Sequence, residues 1–235
     1  MDSMKTKKIT VCACRSRNFI APERAASIAA WAEREGYEVR LVADLCELIQ
    51  TQDSAVTDML QGSVAACYVR TVRSLSEWAG QMPEHIIDLR SSASDSSFES
   101  SDAGLIEKYM DQIHSFTPKV GCDAWFPTIE KDLCMECGKC LDFCPFGVYA
   151  MVEGRVRVTH PTRCKNNCPA CARTCPAGAI IFPKYDHAPI NGGEAEAGAT
   201  SQTDNSTLYG EAFRNRLLER RAGVSLFKNE ESEQQ

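Results

Sequence analysis

A chain of 235 residues is long enough for one large or two small domains, and 43% apolar with 25% charged residues is the balance of an ordinary globular protein. A formal net charge of -6 argues against nucleic acid as a partner, because phosphate binding needs a concentrated basic surface. The opening MDSMKTKKITVC holds no apolar run of signal-peptide length, and nowhere do about 18 apolar residues follow one another, so a cytoplasmic protein without a membrane span is expected.

In chain order, KITVCAC (Lys8 to Cys14) reads as a strand. PERAASIAAWAEREG (Pro22 to Gly36) reads as a helix, with proline in its first turn, Ala25, Ile28, Ala29 and Ala32 on one face and Gly36 as terminator. YEVRLVA (Tyr37 to Ala43) alternates as a second strand, and SVAACYV (Ser63 to Val69) is a continuous apolar run suited to a buried parallel strand. RTVRSLSEWAG (Arg70 to Gly80) is a helix closed by glycine, and HIIDLR (His85 to Arg90) is a fourth strand. Alternating strands and helices imply a parallel sheet covered by helices, so residues 1–90 form an N-terminal α/β domain.

Ser91 to Asp102 holds seven serines and reads as a linker. Leu105 to Phe116 follows as a connecting helix with Asp102 as its N-cap, so residues 91–120 join the first domain to a second at 121–186. Residues 187–235 are a polar, partly disordered tail in which only Leu208 to Leu226 regains helical periodicity. That helix pairs an apolar stripe with a basic face, and it either covers the chain's own sheet or lies in a groove on a partner. The fold class is α+β.

Thirteen cysteines, an odd number in a chain with no export signal, point to thiolate ligands rather than to a disulfide framework. Eight fall in two similar stretches, CMECGKCLDFCP (Cys134 to Pro145) and CKNNCPACARTCP (Cys164 to Pro176). Cys137, Cys140, Cys144 and Gly147 match Cys168, Cys171, Cys175 and Gly178 at a constant offset of 31, whereas Cys134 and Cys164 are 30 apart. The second copy therefore carries one extra residue in its first gap. Three cysteines on a curling loop suit three corners of a cubane; the fourth sits beyond a short helix, points away, and is followed by a proline that redirects the chain. The rival metal is zinc, which also takes four thiolates but usually through two CxxC pairs.

This repeat, over Trp125 to Tyr185, resembles the bacterial dicluster ferredoxins. The resemblance implies a ferredoxin-like pair of βαβ halves and two 4Fe-4S clusters. The first would be held by Cys134, Cys137, Cys140 and Cys175, and the second by Cys164, Cys168, Cys171 and Cys144, each fourth cysteine crossing to the other copy's cluster. The segment GVYAMVEGRVRVTH supports it, since Val148 to Val152 and Arg155 to Thr159 alternate around a Glu153-Gly154 turn as a hairpin does. Phe143, Phe146 and Tyr149 are read as shields of the clusters or as plain core, and Arg155, Arg157, Arg163, Lys165 and Arg173 as a basic face for an acidic redox partner or as a solvated surface.

Cys12, Cys14, Cys46, Cys67 and Cys122 remain. The βα pattern puts Cys12 and Cys14 at the end of the first strand, Cys46 after the second and Cys67 toward the end of the third, so four thiols converge on the sheet edge where open α/β sheets bind ligands. ITVCACRSRNFI, VADLC and VAACYVRTV resemble the N-terminal segment of heterodisulfide reductase A subunits, although CACRS lacks the glycine usual after the second cysteine of that family. Three readings stay open for this set: a third 4Fe-4S cluster, inert core cysteines, or a redox-active thiol pair of Cys12 with Cys14. Cys122 is read as structural.

No GxGxxG follows a strand, so neither a flavin nor a nicotinamide site is expected, and the four scattered histidines suggest no zinc or Rieske ligation. The expected function is electron relay in anaerobic redox metabolism, with a larger oxidoreductase as protein partner and no catalytic residue in the chain. The alternatives are an oxidoreductase subunit with a disulfide- or substrate-reducing site at Cys12 and Cys14, and a redox or oxygen sensor.

Overall fold

A computed structural model of the chain describes residues 7–90, 100–117 and 124–194. The expected tail helix at Leu208 to Leu226, most of the serine-rich stretch and Cys122 lie outside the described residues. Four parallel strands, β1 (Lys8–Cys12), β2 (Glu38–Val42), β3 (Ser63–Ala66) and β4 (His85–Asp88), form one sheet in the order β2-β1-β3-β4. The chain leaves β1 in one direction to reach β2 and returns past it to β3. The order therefore reverses between β1 and β3, and the carboxyl ends of those two strands flank the crevice in which doubly wound sheets bind ligands.

Helices cover both faces. α1 (Pro22–Arg34) buries Ala25, Ala26, Ile28, Ala29, Ala30 and Ala32, small side chains that let it lie close to the sheet and to α5 (Ala103–Ser115). Asp102 caps α5 by accepting from the Leu105 N–H at 3.1 Å, and Glu33 of α1 binds Lys108 and Tyr109 of α5. Between β2 and β3 run two short helices that periodicity did not reveal, α2 (Leu45–Gln50) and α3 (Val56–Met59). α2 packs against α4 (Val69–Ala79), which ends at Gly80 in the left-handed conformation. The apolar run expected as one strand over Ser63 to Val69 splits: β3 stops at Ala66, and Tyr68 turns the chain into α4. β3 is buried throughout, and Tyr68 and the exposed Val69 extend its apolar run into the helix start, so the two look alike in hydropathy.

Beyond residue 124 the chain builds the duplicated half. β5 (Thr128–Ile129) pairs antiparallel with β8 (Ile180–Ile181), and β6 (Tyr149–Val152) with β7 (Arg155–Val158). The β6–β7 turn has Glu153 at φ 51° and Gly154 at φ 73°, the two positive angles that a two-residue hairpin turn matching strand twist requires. Two five-residue helices, α6 (Lys139–Phe143) and α7 (Ala170–Thr174), pack on each other, and the core contains Trp125, Val148, Val156, Ile180 and Phe182.

The sheet and the duplicated half join along α4. Arg70 binds Glu130 at 2.5 Å and the Gly178 carbonyl at 2.8 Å, and the Thr71 hydroxyl donates to the Asn191 carbonyl. Gly192, at φ 85°, lies so close to Thr71 that a Cβ there would overlap its side chain. Trp78 packs against both cores, and its indole N–H donates to the Val158 carbonyl at 3.0 Å. Trp78→Ala is expected to lower the stability of the full chain by about 3 kcal/mol and Trp78→Phe, which keeps the packing but not the hydrogen bond, by about 1 kcal/mol, read from anaerobic denaturant midpoints. Equal losses would assign the whole effect to the hydrogen bond.

Candidate metal centres

The repeat folds into two recesses, each walled by three cysteines of one copy and the last cysteine of the other. In the first copy the Glu130 carbonyl accepts the N–H groups of Leu133 and Cys134, starting a loop that Glu136 (φ 51°) and Gly138 (φ 72°) curl before Cys140 begins the first turn of α6. Cys134, Cys137 and Cys140 line a solvent-open recess with Cys175 of the second copy; Ile129, Met135, Val156 and Ile180 complete its apolar wall. The second copy repeats the device: Asn167, which aligns with Glu136, also takes the left-handed conformation at φ 58°, and Cys171 lies on α7. Cys164, Cys168 and Cys171 line a second recess with Cys144 of the first copy, walled by Phe143, Phe146 and Val148.

Proline explains the crossing. Cys144 precedes Pro145 and Cys175 precedes Pro176, and a residue before proline is pushed out of the helical region. Both cysteines are extended (ψ 110° and 115°), so α6 and α7 end at them and their side chains reach the neighbouring recess.

The donor set suits an iron–sulfur cluster. Backbone N–H groups of Glu136, Leu141 and Ala172 donate to the sulfurs of Cys134, Cys140 and Cys171, a polarity that favours thiolate. Burial nevertheless pushes the free thiols up, Cys140 and Cys164 to about 12 and Cys171 to about 11, so a positively charged group must bind before they ionise at neutral pH. Tyr149, expected to shield or to pack, does more: its buried hydroxyl donates to the Cys171 sulfur at 3.0 Å. Phe143 and Phe146 wall the second recess yet are 50% and 40% exposed, so they screen it only in part. Among the described residues, no three His, Cys, Asp or Glu side chains gather as the ligands of a single ion do; the thiols ring each recess instead of meeting at a point.

The sheet edge holds the other set. Cys12 ends β1, Cys14 follows in the left-handed conformation (φ 49°), Cys46 lies in the first turn of α2, and Cys67 follows β3. All four are buried, 3% to 6% exposed, and their charges act on one another: Cys12 with Cys14 and Cys46, Cys67 with Cys14 and Cys46. Burial raises every one, Cys67 to about 12. N–H groups donate to three of the sulfurs, that of Leu45 to Cys12 at 3.4 Å, those of Arg17 and Phe19 to Cys14 and that of Tyr68 to Cys67.

Two residues here carried no signal in the sequence. Asp44 caps α2 by accepting from the N–H groups of Cys46 and Glu47. Lys184, beyond β8 in the duplicated half, reaches across the seam to Asp44 at 2.6 Å, with its Nζ 3.9 Å from the Cys14 sulfur. Burial opposes its charge, but Cys46, Asp44 and Cys14 hold the ammonium well above its ordinary value. A second link joins this edge to the second recess: Arg17 donates to Asn167 at 3.0 Å, in the gap that holds the extra residue of the second copy. Neither contact is local in sequence, and lysine or arginine in a polar stretch reads as surface.

Residues 126–176 match the family described as the 4Fe-4S dicluster domain. An uncharacterized ferredoxin of Methanocaldococcus jannaschii is 46% identical over 61 residues, 26% of this chain and 42% of that protein. The formate dehydrogenase iron-sulfur subunit of Haemophilus influenzae is 34% identical over 86 residues, 34% of this chain and 28% of that one. The chain thus spans less than half the length of either relative. Another uncharacterized ferredoxin of M. jannaschii is 31% identical over 56 residues, 23% of this chain but 73% of its own length. With two four-thiol recesses built by an internal repeat and a relative matched over most of its length, the chain belongs to the ferredoxins that carry a 4Fe-4S dicluster domain.

Proposed function

We propose that this chain relays electrons to a larger oxidoreductase through three 4Fe-4S clusters, two in the duplicated half and one at the sheet edge. Iron–sulfur electron transfer follows from the family; the number of clusters and the partner are our reading. When bound, such clusters supply one-electron transfer over a wide range of potentials. Carrying the reading is the pair of recesses, each lined by four thiols in the crossed set Cys134, Cys137, Cys140, Cys175 and Cys164, Cys168, Cys171, Cys144. The eight cysteines would hold the clusters, with backbone N–H groups and the Tyr149 hydroxyl donating to cysteine sulfurs and the apolar walls limiting the access of water.

For the third cluster the support is the mutual reach of Cys12, Cys14, Cys46 and Cys67 at the point where the strand order reverses, with N–H donors on three of the sulfurs. The resemblance of this segment to heterodisulfide reductase A subunits draws on the same four cysteines. Burial speaks against the disulfide-reducing alternative, since Cys12 and Cys14 are 4% and 3% exposed and a disulfide substrate has to reach the attacking sulfur. It speaks equally against a sensor, which needs an exposed, labile site. For the partner, the support is the likeness to a subunit that belongs by name to formate dehydrogenase, together with the basic side chains Arg155, Arg163, Lys165 and Arg173 exposed beside the clusters. Among the described residues no helix is long and apolar enough to cross a membrane.

Protein purified without oxygen is expected to carry about twelve irons and twelve acid-labile sulfides; about eight of each would confine the clusters to the duplicated half. Cys144→Ser is expected to expose Cys164, Cys168 and Cys171 to alkylation while Cys134, Cys137 and Cys140 stay protected, as mass spectrometry would show. Protection lost by the first copy's own cysteines instead would mean that the fourth thiol does not cross. Tyr149→Phe removes a hydrogen bond that stabilises the more negative reduced form, so the potential of the second cluster should fall by up to about tenfold in the reduction equilibrium, 59 mV for one electron. An unmoved potential in a redox titration would assign Tyr149 to packing alone.

A further inference from the structure

Among the described residues Lys184 is the one buried cation and Asp44 the one buried carboxylate, 1% and 6% exposed, and both belong to the sheet-edge cysteine site. Burying an ammonium is costly, and a pair of opposite charges rarely recovers the whole cost of leaving water. A lysine that only joined two halves of a protein would do so as well at the rim of the seam, where Arg70 and Glu130 already do. Lys184 instead places its Nζ 3.9 Å from the Cys14 sulfur, and its charge acts on all four thiols, Cys12, Cys14, Cys46 and Cys67. Asp44 occupies both of its carboxyl oxygens elsewhere: Oδ1 accepts the N–H groups of Cys46 and Glu47, and Oδ2 the Ser16 hydroxyl and Lys184.

We propose that Lys184 is part of the sheet-edge site, its ammonium offsetting the negative charge of a cluster on Cys12, Cys14, Cys46 and Cys67 and so raising that cluster's potential. The inference rests on the third-cluster reading above. Four thiolates leave a 4Fe-4S cluster anionic, and accepting an electron adds one more negative charge beside Nζ, so a fixed cation favours the reduced form. Because Lys184 comes from the duplicated half and the cysteines from the sheet, the site is complete only when the two halves are docked. No electron has to leave the protein for this arrangement to act; Lys184 neither gives nor takes a proton in it.

The test is an anaerobic redox titration of the full chain, followed by electron paramagnetic resonance, with iron counted in parallel. Lys184→Gln keeps a hydrogen-bond donor for Asp44 but removes the charge; it should lower the potential of the sheet-edge cluster by at least a tenfold change in the reduction equilibrium, 59 mV for one electron, and leave the other two clusters unmoved. Lys184→Arg should keep the wild-type value. Asp44→Asn, which retains the acceptor that caps α2, should shift the same potential upward, and it serves as the readout should Lys184→Gln not fold. Loss of about four irons from Lys184→Gln, with Lys184→Arg fully loaded, would equally support a need for the charge. About twelve irons with potentials unmoved in both neutralising variants, or the same shift from both, overturns the inference and leaves the cluster in place. About eight irons in the wild-type protein overturns the third-cluster reading and the inference with it.

Discussion

The fourth cysteine of each repeat governs the duplicated half. Cys144 and Cys175 are held extended by the prolines that follow them, and each lines the recess formed by the other copy's loop. Neither copy can therefore complete a four-thiol wall alone. α6 and α7 must lie side by side for the crossing to occur, and the β5–β8 and β6–β7 pairs close around them. The core is small, with Cys171 in it and Cys140, Cys144, Cys164 and Cys175 packed against it. Such a core is poor in stabilising area and draws folding energy from what the thiolates bind.

The same economy appears at the seam. Arg70, Thr71 and Trp78 on one face of α4 meet carbonyls of the duplicated half, satisfying polar groups that hairpin ends and turns leave open. The buried pair of Lys184 with Asp44 is different in kind, because both charges are removed from water and face sulfur. Arg17 on the neighbouring loop touches Asn167 beside the second recess, so the single-residue difference between the two copies falls where the sheet edge makes contact. The Arg17–Asn167 contact makes the sheet edge and the second recess neighbours.

Much of this was legible in the sequence, for reasons that differ by segment. The repeat was read from cysteine spacing and the Cys-Pro ending, which are backbone requirements and so leave a fixed pattern. The hairpin was read from Glu153-Gly154, where the turn demands two positive φ angles. The parallel sheet was read from alternating hydrophobic periods. What escaped was set by tertiary contact. α2 and α3 are too short to show a period; α2 starts at the Asp44 cap, and α3 has no side-chain cap. Lys184 in FPKYDH looks like any surface lysine, and its burial follows from docking between residues 140 apart. Tyr149 reads as a shield or as plain core because its ring is apolar; its hydroxyl finds Cys171 only through the tertiary packing of β6 beside the two short helices.

In the function proposed above, cysteine side chains ring clusters at three places, two of them crossed between copies. Iron-edge anomalous diffraction from crystals grown and frozen without oxygen tests it most directly. Three compact iron peaks are predicted, one among Cys134, Cys137, Cys140 and Cys175, one among Cys144, Cys164, Cys168 and Cys171, and one among Cys12, Cys14, Cys46 and Cys67 beside Lys184. A peak bounded by four cysteines of a single copy, or no peak at the sheet edge, would contradict it.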